Sequence, residues 1–201
     1  MPGIKRRLYY ISKSYIVDWP TLPRSGSGRP LLAIYQGSFA LAADKKWSYI
    51  DILPDKSQLT SEPQGEAPSQ TQLNKLVAVH PGVGTEAALI AACVNNDDLV
   101  FLVEDQSGAF RVVGSKNWPT KATVNQDNGQ GPTGNTSTTI NVEATDEIPS
   151  PFYEGVIKLT DGEHVISPRY QGGLQDAIAH EYSDDDQPET MEPTTQPPSG
   201  N

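Results

Sequence analysis

Residues Leu99–Val113, LVFLVEDQSGAFRVV, decide the fold. The run Leu99–Val103 is apolar at every position. A strand made from it has no face that tolerates water, so it belongs deep in a sheet or barrel wall. Asp105-Gln106-Ser107-Gly108 is a tight turn and Ala109–Val113 returns, so residues 99–113 read as a β-hairpin. Just upstream lies the clearest helix, Glu86 to about Asn95. Thr85 is its N-cap, Ala87, Ala88, Ala91 and Ala92 are its helix formers, and Leu89, Ile90 and Val94 are its packing face. Asn95-Asn96-Asp97-Asp98 stops it. Further back, Lys75–His80 (KLVAVH) is a short strand and Pro54–Thr71, with Pro54, Pro63 and Pro68, is a long polar loop. Trp47–Leu53 alternates strictly, Leu31–Ala42 is β-like, and residues 20–30 are a linker rich in Pro, Gly and Ser. Residues 4–19, rich in Tyr and Ile, read as a strand or extended arm ending at Trp19-Pro20.

Downstream, Thr120–Gln126 and Thr138–Thr145 are two alternating strands joined by a Gly/Asn-rich loop, and Pro151–Ile157 is a second apolar patch. The expected fold is mainly β (α+β): an antiparallel β-sandwich or barrel with one flanking α-helix, an extended N-terminal arm and long loops. Its parts are an arm and linker over 1–30, a β-rich domain over 31–160 with its helix at about 85–95, and a C-terminal extension over 161–201. That extension is acidic and Pro/Thr-rich from about 181, a composition that signals disorder.

Composition sets limits on function. The 201 residues carry 15 basic and 25 acidic side chains, a formal charge of -10, with Gly 17 and Pro 17; that density of helix breakers excludes a large all-α protein. Mean hydropathy is -0.48. The longest apolar run, Ala87–Val94, is far short of the ~20 residues of a membrane helix, and the basic N-terminus is not followed by a signal-peptide core. One cysteine, Cys93, excludes an intramolecular disulfide. The charge is polarised. Lys5, Arg6, Arg7, Lys13, Arg24 and Arg29 face only Asp18 within residues 1–29, whereas residues 181–201 hold six acids and no base. An acidic body disfavours nucleic-acid binding. The basic stretch is interleaved with Tyr9, Tyr10, Tyr15 and Trp19, which need burial, so it reads as an arm docking on an acidic body, its own or a neighbouring copy's.

The most suggestive motif is Gly82-Val83-Gly84-Thr85-Glu86-Ala87, a G-x-G-x-x-A between a strand and a helix, with Glu104-Asp105 about twenty residues on. That is the order of a dinucleotide-binding βαβ unit. Pro81, the turn directly after Glu104, and the lack of a second βα unit favour a plain glycine-rich turn. His80, His164 and His180 have no metal-ligand spacing, and Cys93 reads as a buried, inert thiol. The run Asp184-Asp185-Asp186 lacks the glycine and distal glutamate of a calcium loop. No catalytic, cofactor-binding or metal-binding residue is expected, and the chain is not expected to be an enzyme.

The stretch from Lys75 to Ile157 resembles the tail tube (major tail) proteins of tailed bacteriophages and prophages, particularly those of Bacteroidetes hosts. The likeness is carried by the helix Thr85–Ala92, the hairpin Asp98–Asp105 with Gly108 and Arg111–Gly114, then Ile140–Ala144 and Pro149-x-Pro151-Phe152-Tyr153-x-Gly155. It covers roughly 80 of 201 residues. The resemblance implies a β-sandwich or barrel whose copies form hexameric rings, stacked into a tube that conducts the genome. It further implies a virion location after synthesis in the host bacterial cytoplasm, with copies of itself and other tail proteins as partners. DNA would pass through the lumen without sequence-specific binding, and no membrane would be involved. Candidate inter-subunit contacts are Tyr9, Tyr10, Tyr15, Trp19, Phe152 and Tyr153. Two alternatives stay open: a small nucleotide-binding protein using Gly82, Gly84 and Glu104, or another virion part such as a tail terminator or head decoration.

Overall fold

The computed structural model describes residues 3–28, 30–131, 134–160 and 162–166. In chain order the strands are β1 (Ile4–Ser12), β2 (Ile16–Asp18), β3 (Ile34–Tyr35), β4 (Ala40–Leu41), β5 (Ser48–Asp51), β6 (Gln58–Gln64) and β7 (Thr71–Pro81). Helix α1 (Thr85–Val94) follows. Then come β8 (Leu99–Asp105), β9 (Phe110–Val113), β10 (Thr120–Asp127), β11 (Ser137–Asp146), β12 (Phe152–Tyr153), β13 (Val156–Leu159) and β14 (Gly162–Val165). A six-stranded sheet runs β3-β12-β9-β8-β1-β5 and a four-stranded sheet runs β10-β11-β7-β6, with two small two-stranded ribbons, β13-β14 and β2-β4. Both larger sheets have terminal strands, so the architecture is a β-sandwich and not a closed barrel.

The hairpin read from LVFLVEDQSGAFRVV forms, with Phe101 opposite Val113 and Val103 opposite Arg111. Its first strand is buried on both sides. Leu99, Phe101 and Val103 join a core with Leu76, Ala78, Ile140, Val142 and Ala144 of the four-stranded sheet and with Ile90 and Val94 of α1. Val100 and Leu102 point the other way, into a second core with Tyr9, Phe39, Trp47, Phe110, Tyr153 and Ile157. Phe39 is the hub of that core: its ring centroid lies 5.2 Å from Trp19, 5.5 Å from Trp47 and 5.2 Å from Tyr153. The six-stranded sheet is therefore a middle layer, covered on one face by the second sheet and on the other by the aromatic cluster.

Three expectations are refined. Of the two readings of residues 4–19, strand or extended arm, residues 4–12 take the first, as an interior strand between β8 and β5 with Leu8 opposite both Val103 and Ile50. The reason is double-sided burial again: Leu8 faces the first core while Tyr9 and Ile11 face the second. The basic run is accommodated by a bulge, since register shifts between Ile4 and Leu8 and leaves the Arg6 side chain 77% exposed. Second, residues 54–71 are not a loop. They contain a 3-10 turn and the edge strand β6, which pairs with β7 from Gln58↔Val77 to Gln64↔Thr71. A polar edge strand needs only backbone partners, and an edge tolerates Pro63. Third, the β-like stretch 31–42 yields only the two-residue strands β3 and β4.

Helix α1 forms where expected, but Gly84 and not Thr85 is its N-cap, with no side-chain cap bond. Ala87, Ile90 and Val94 form the buried stripe, while Leu89 is 64% exposed and Cys93 is exposed, contrary to the packing face and buried thiol read from sequence. The spacing 87-90-94 is one helical face, which turns 89 and 93 outward. The end of β1 is tied to the start of β8 and of β10 at Asp98. Its Oδ1 accepts from Lys13 Nζ (2.9 Å) and from the Thr120 backbone N–H (2.8 Å).

Burial on both faces of β8 has a measurable signature. Phe101→Ala should cost about 3–5 kcal/mol and Leu102→Ala about 2–5 kcal/mol in urea unfolding. In a strand with one wet face, one of two adjacent substitutions would be nearly neutral.

Candidate functional site

The basic N-terminal stretch pairs with acids of its own chain. Lys5 Nζ meets Glu104 Oε1 at 2.5 Å, Arg6 and Arg7 both approach Asp51, Lys13 meets Asp98, and Arg24 meets Glu147 at 2.8 Å. Arg7 also stacks 4.1 Å from the Tyr49 ring centroid. Apart from the mostly buried Lys13, these side chains are partly exposed, and such pairs are worth only about 0–1 kcal/mol each. Their effect is to favour one docking of the strand over others. Within the chain, the acids that this stretch meets are Glu104, Asp51, Asp98 and Glu147.

The six aromatic contact candidates separate by burial. Tyr9 (5% exposed) and Tyr153 (1%) are core residues and present no ring to a neighbour, which corrects their assignment as contacts. Burial raises the pKa of both phenols. Tyr153 Oη donates to the Val156 carbonyl and accepts from the Phe39 N–H, folding the ring back over residue 155. A Cβ at Gly155 would fall 2.5 Å from that hydroxyl and 2.6 Å from the Gly37 carbonyl oxygen. The Phe-Tyr-x-Gly pattern is thus a packing device. Tyr10, Trp19 and Phe152 are half-buried, and the Phe152 ring carries the Arg111 guanidinium at 3.6 Å. Only Tyr15, 40% exposed beneath Lys45, keeps much open surface, next to Val17 at 72%.

The surface that sequence reading missed is the edge of the four-stranded sheet. Strand β6 is exposed at every residue except the half-buried Leu59. The hairpin's root is fixed by Asn74, fully buried in β7. Its Oδ1 accepts from Ser61 Oγ (2.5 Å) and from the Ser150 N–H (2.9 Å), and its Nδ2 donates to the Ile148 carbonyl. Glu62 and Lys75 add an ion pair across the outer face. The opposite edge, β10, exposes Lys121, Thr123 and Asn125. The outer face between them is mixed, with Asn141, Glu143 and Thr145 of β11 beside Val77, Lys75 and Leu73 of β7. The sequence signal for β6 was weak because only Leu59 packs inward.

The GVGTEA turn is placed differently from a dinucleotide site. The strand before it, β7, lies in the four-stranded sheet and the strand after α1, β8, lies in the six-stranded sheet, so the helix does not link parallel neighbours. Gly82 (φ +100°) donates to the Thr136 carbonyl at 3.1 Å and accepts from Thr138 Oγ1 at 2.8 Å. Glu104 is engaged by Lys5. His80 Nδ1 lies 2.7 Å from the Asp51 carbonyl oxygen, and His164 stacks near Phe110. His180, the run Asp184–Asp186 and the acidic tail lie outside the described residues. Among the described residues no three His, Cys, Asp or Glu side chains are gathered as a metal site would require, and no helix is long and apolar enough to cross a membrane. No family model, curated protein or solved structure matches the chain significantly.

Two predictions follow from this sorting of aromatics. Tyr9→Ala should lose about 3 kcal/mol or more of unfolding free energy, whereas Tyr15→Ala should change it by less than about 1 kcal/mol. Gly155→Ala should lose about 2 kcal/mol or more, because the added methyl displaces the Tyr153 hydroxyl from both its hydrogen bonds; chemical denaturation of the three variants provides the comparison.

Proposed function

We propose that this protein is a structural, non-enzymatic subunit of a phage-derived tail, a homo-oligomeric ring former of the tail-tube kind. The observation that carries the reading is the β6–β7 hairpin: a firmly rooted edge strand, exposed along nearly its whole length, with no partner on its outer side among the described residues. A strand of that kind is a template for pairing with another chain, and symmetric assemblies of one chain use such edges. The sandwich with one flanking helix is also the architecture that the resemblance implies.

In this reading the role of the extended arm passes from the N-terminus to residues 58–71. Copies would meet edge to edge, β6 of one protomer against β10 of the next, and the rings would stack into a conduit carried in the virion after synthesis in the host cytoplasm. The net charge of -10 suits a lumen through which a polyanion slides without being held.

The test is direct. Mass photometry and negative-stain microscopy of the purified chain should show rings or short tubes growing with concentration, and a monomer across the whole accessible range would overturn the proposal. Gln58→Lys with Thr60→Lys should raise the concentration needed for assembly by about tenfold or more, since edge lysines oppose strand addition. The double variant should stay folded with monomer stability lowered by about 1 kcal/mol or less, since Thr60→Lys stands opposite Lys75.

A further inference from the structure

Beside β6 the first core ends in a cleft of about 390 Å3 between the two sheets, lined in part by Ile4, Ser57, Leu59, Ser61, Asp105 and Arg111. Strand alternation accounts for what faces it. Phe101 and Val103 point into the first core, so Asp105, two residues on, lies on the same face of β8. Arg111 stands opposite Val103 and two residues before the core residue Val113, and so shares that face. On the other sheet Leu59 packs against the core, and Ser57 and Ser61 alternate in step with it.

The cleft's cation is half-buried and has no counter-ion. The Arg111 guanidinium lies 3.6 Å over the Phe152 ring, and its Nη1 donates to the Ser150 carbonyl at 3.1 Å. Among the described residues it forms no ion pair, whereas Arg6, Arg7 and Arg24 each have one. Burial lowers its pKa, and the charge of Asp105 offsets only part of that. A cation drawn partly out of water and left unpaired is costly, and its remaining N–H groups are donors held in a fixed plane. Ser57 adds another donor. It is 7% exposed, and its Oγ accepts from the Val79 N–H (3.0 Å), which leaves its O–H without an acceptor among the described residues.

The cleft's anion is equally fixed. Asp105 Oδ1 accepts from Ser107 Oγ and from the Ala109 N–H (3.0 Å), which ties the carboxylate into the hairpin turn. Burial pushes this carboxyl up, but the hydrogen bonds from Ser107 and Ala109 and the nearby Arg111 charge outweigh it and hold it below its ordinary range. Asp105 is therefore ionised at neutral pH. Across the hairpin Asp105 and Arg111 are diagonal neighbours, roughly 7–8 Å apart at the backbone. Their side chains feel each other through space yet stop short of an ion pair.

We propose that this cleft binds a zwitterion, an α-amino acid with an aliphatic side chain, its carboxylate on Arg111 and its ammonium on Asp105. The charge of the wall selects the class. One arginine and one aspartate cancel, so a plain anion or a plain cation gains at one end what it loses at the other. A molecule carrying both charges meets an opposite charge at each end. The guanidinium fork matches a carboxylate, and the Phe152 ring already holds its plane, so little freedom is lost on binding. Ile4 and Leu59 give the side chain an apolar wall. A metal ion is disfavoured, because no cluster of carboxylates or imidazoles is gathered among the described residues. The site is built within one chain on the inward face of β6, so it does not depend on the ring-former reading.

Calorimetric titration of the full chain at neutral pH with L-leucine, 4-methylpentanoate and 3-methylbutylamine tests this. The three share one branched chain and differ only in which charges they carry. L-Leucine should bind saturably, with Kd in the millimolar range or tighter, and each single-charge probe should bind about tenfold more weakly or worse. That comparison is made on the wild-type chain and needs no variant. Arg111→Gln should abolish leucine binding. Asp105→Asn keeps an acceptor oxygen for the turn, and should weaken leucine about tenfold without weakening 4-methylpentanoate, a split that a merely structural role would not produce. Far-UV circular dichroism and melting establish that both variants are folded. A chain that binds leucine as a monomer would retain this site and end the ring-former reading. No saturable leucine binding, equal affinity for either single-charge probe, or undiminished leucine binding to folded Arg111→Gln would each overturn the proposal.

Discussion

Everything in this fold hangs on the exclusion of water from both faces of Leu99–Val103. Five consecutive residues at 0–2% exposure require a layer on each side, and the chain supplies one from the four-stranded sheet and α1 and the other from Phe39, Trp47, Tyr153 and their neighbours. Strand β1 is drawn into the same constraint. Its alternating apolar residues pack both layers at once, which a solvated arm could not do. The salt bridges along its basic residues then choose among dockings that the hydrophobic term alone would permit.

The parts legible in the sequence were those where burial writes a pattern. The two-faced strand, its return hairpin, the alanine-rich helix and the β10–β11 hairpin all announce themselves through apolar period or turn chemistry. What escaped was written in backbone hydrogen bonding. Gln58–Gln64 has one inward apolar residue and a proline, so nothing separates it from a loop until β7 is seen beside it. The N-terminal strand was ambiguous for another reason: aromatic and basic residues side by side fit an arm and a bulged central strand equally well. Which acids it meets depends on Asp51, Asp98 and Glu104, brought together only by the fold.

The same division applies to function. Two of the aromatic residues that drew attention as contacts, Tyr9 and Tyr153, belong to the second core, and the Phe-Tyr-x-Gly pattern is explained by a tyrosine folded over a glycine. Open main chain is left along β6 and β10. It carries no sequence signature, because an open edge is defined by what is not beside it. An adhesive surface made of main chain, as proposed for the β6 edge, can diverge in side chains and keep its mode of assembly.

The central claim is that the chain completes its own core with its N-terminal strand and leaves the β6 edge for other copies. Hydrogen–deuterium exchange by mass spectrometry, run on dilute and assembled protein, tests it most directly. The account predicts slow exchange over residues 4–12 and 99–105 in both samples, and over 58–64 slowing only on assembly. Rapid exchange of residues 4–12 in the dilute chain, with protection gained on assembly, would contradict it and return the adhesive role to the N-terminus.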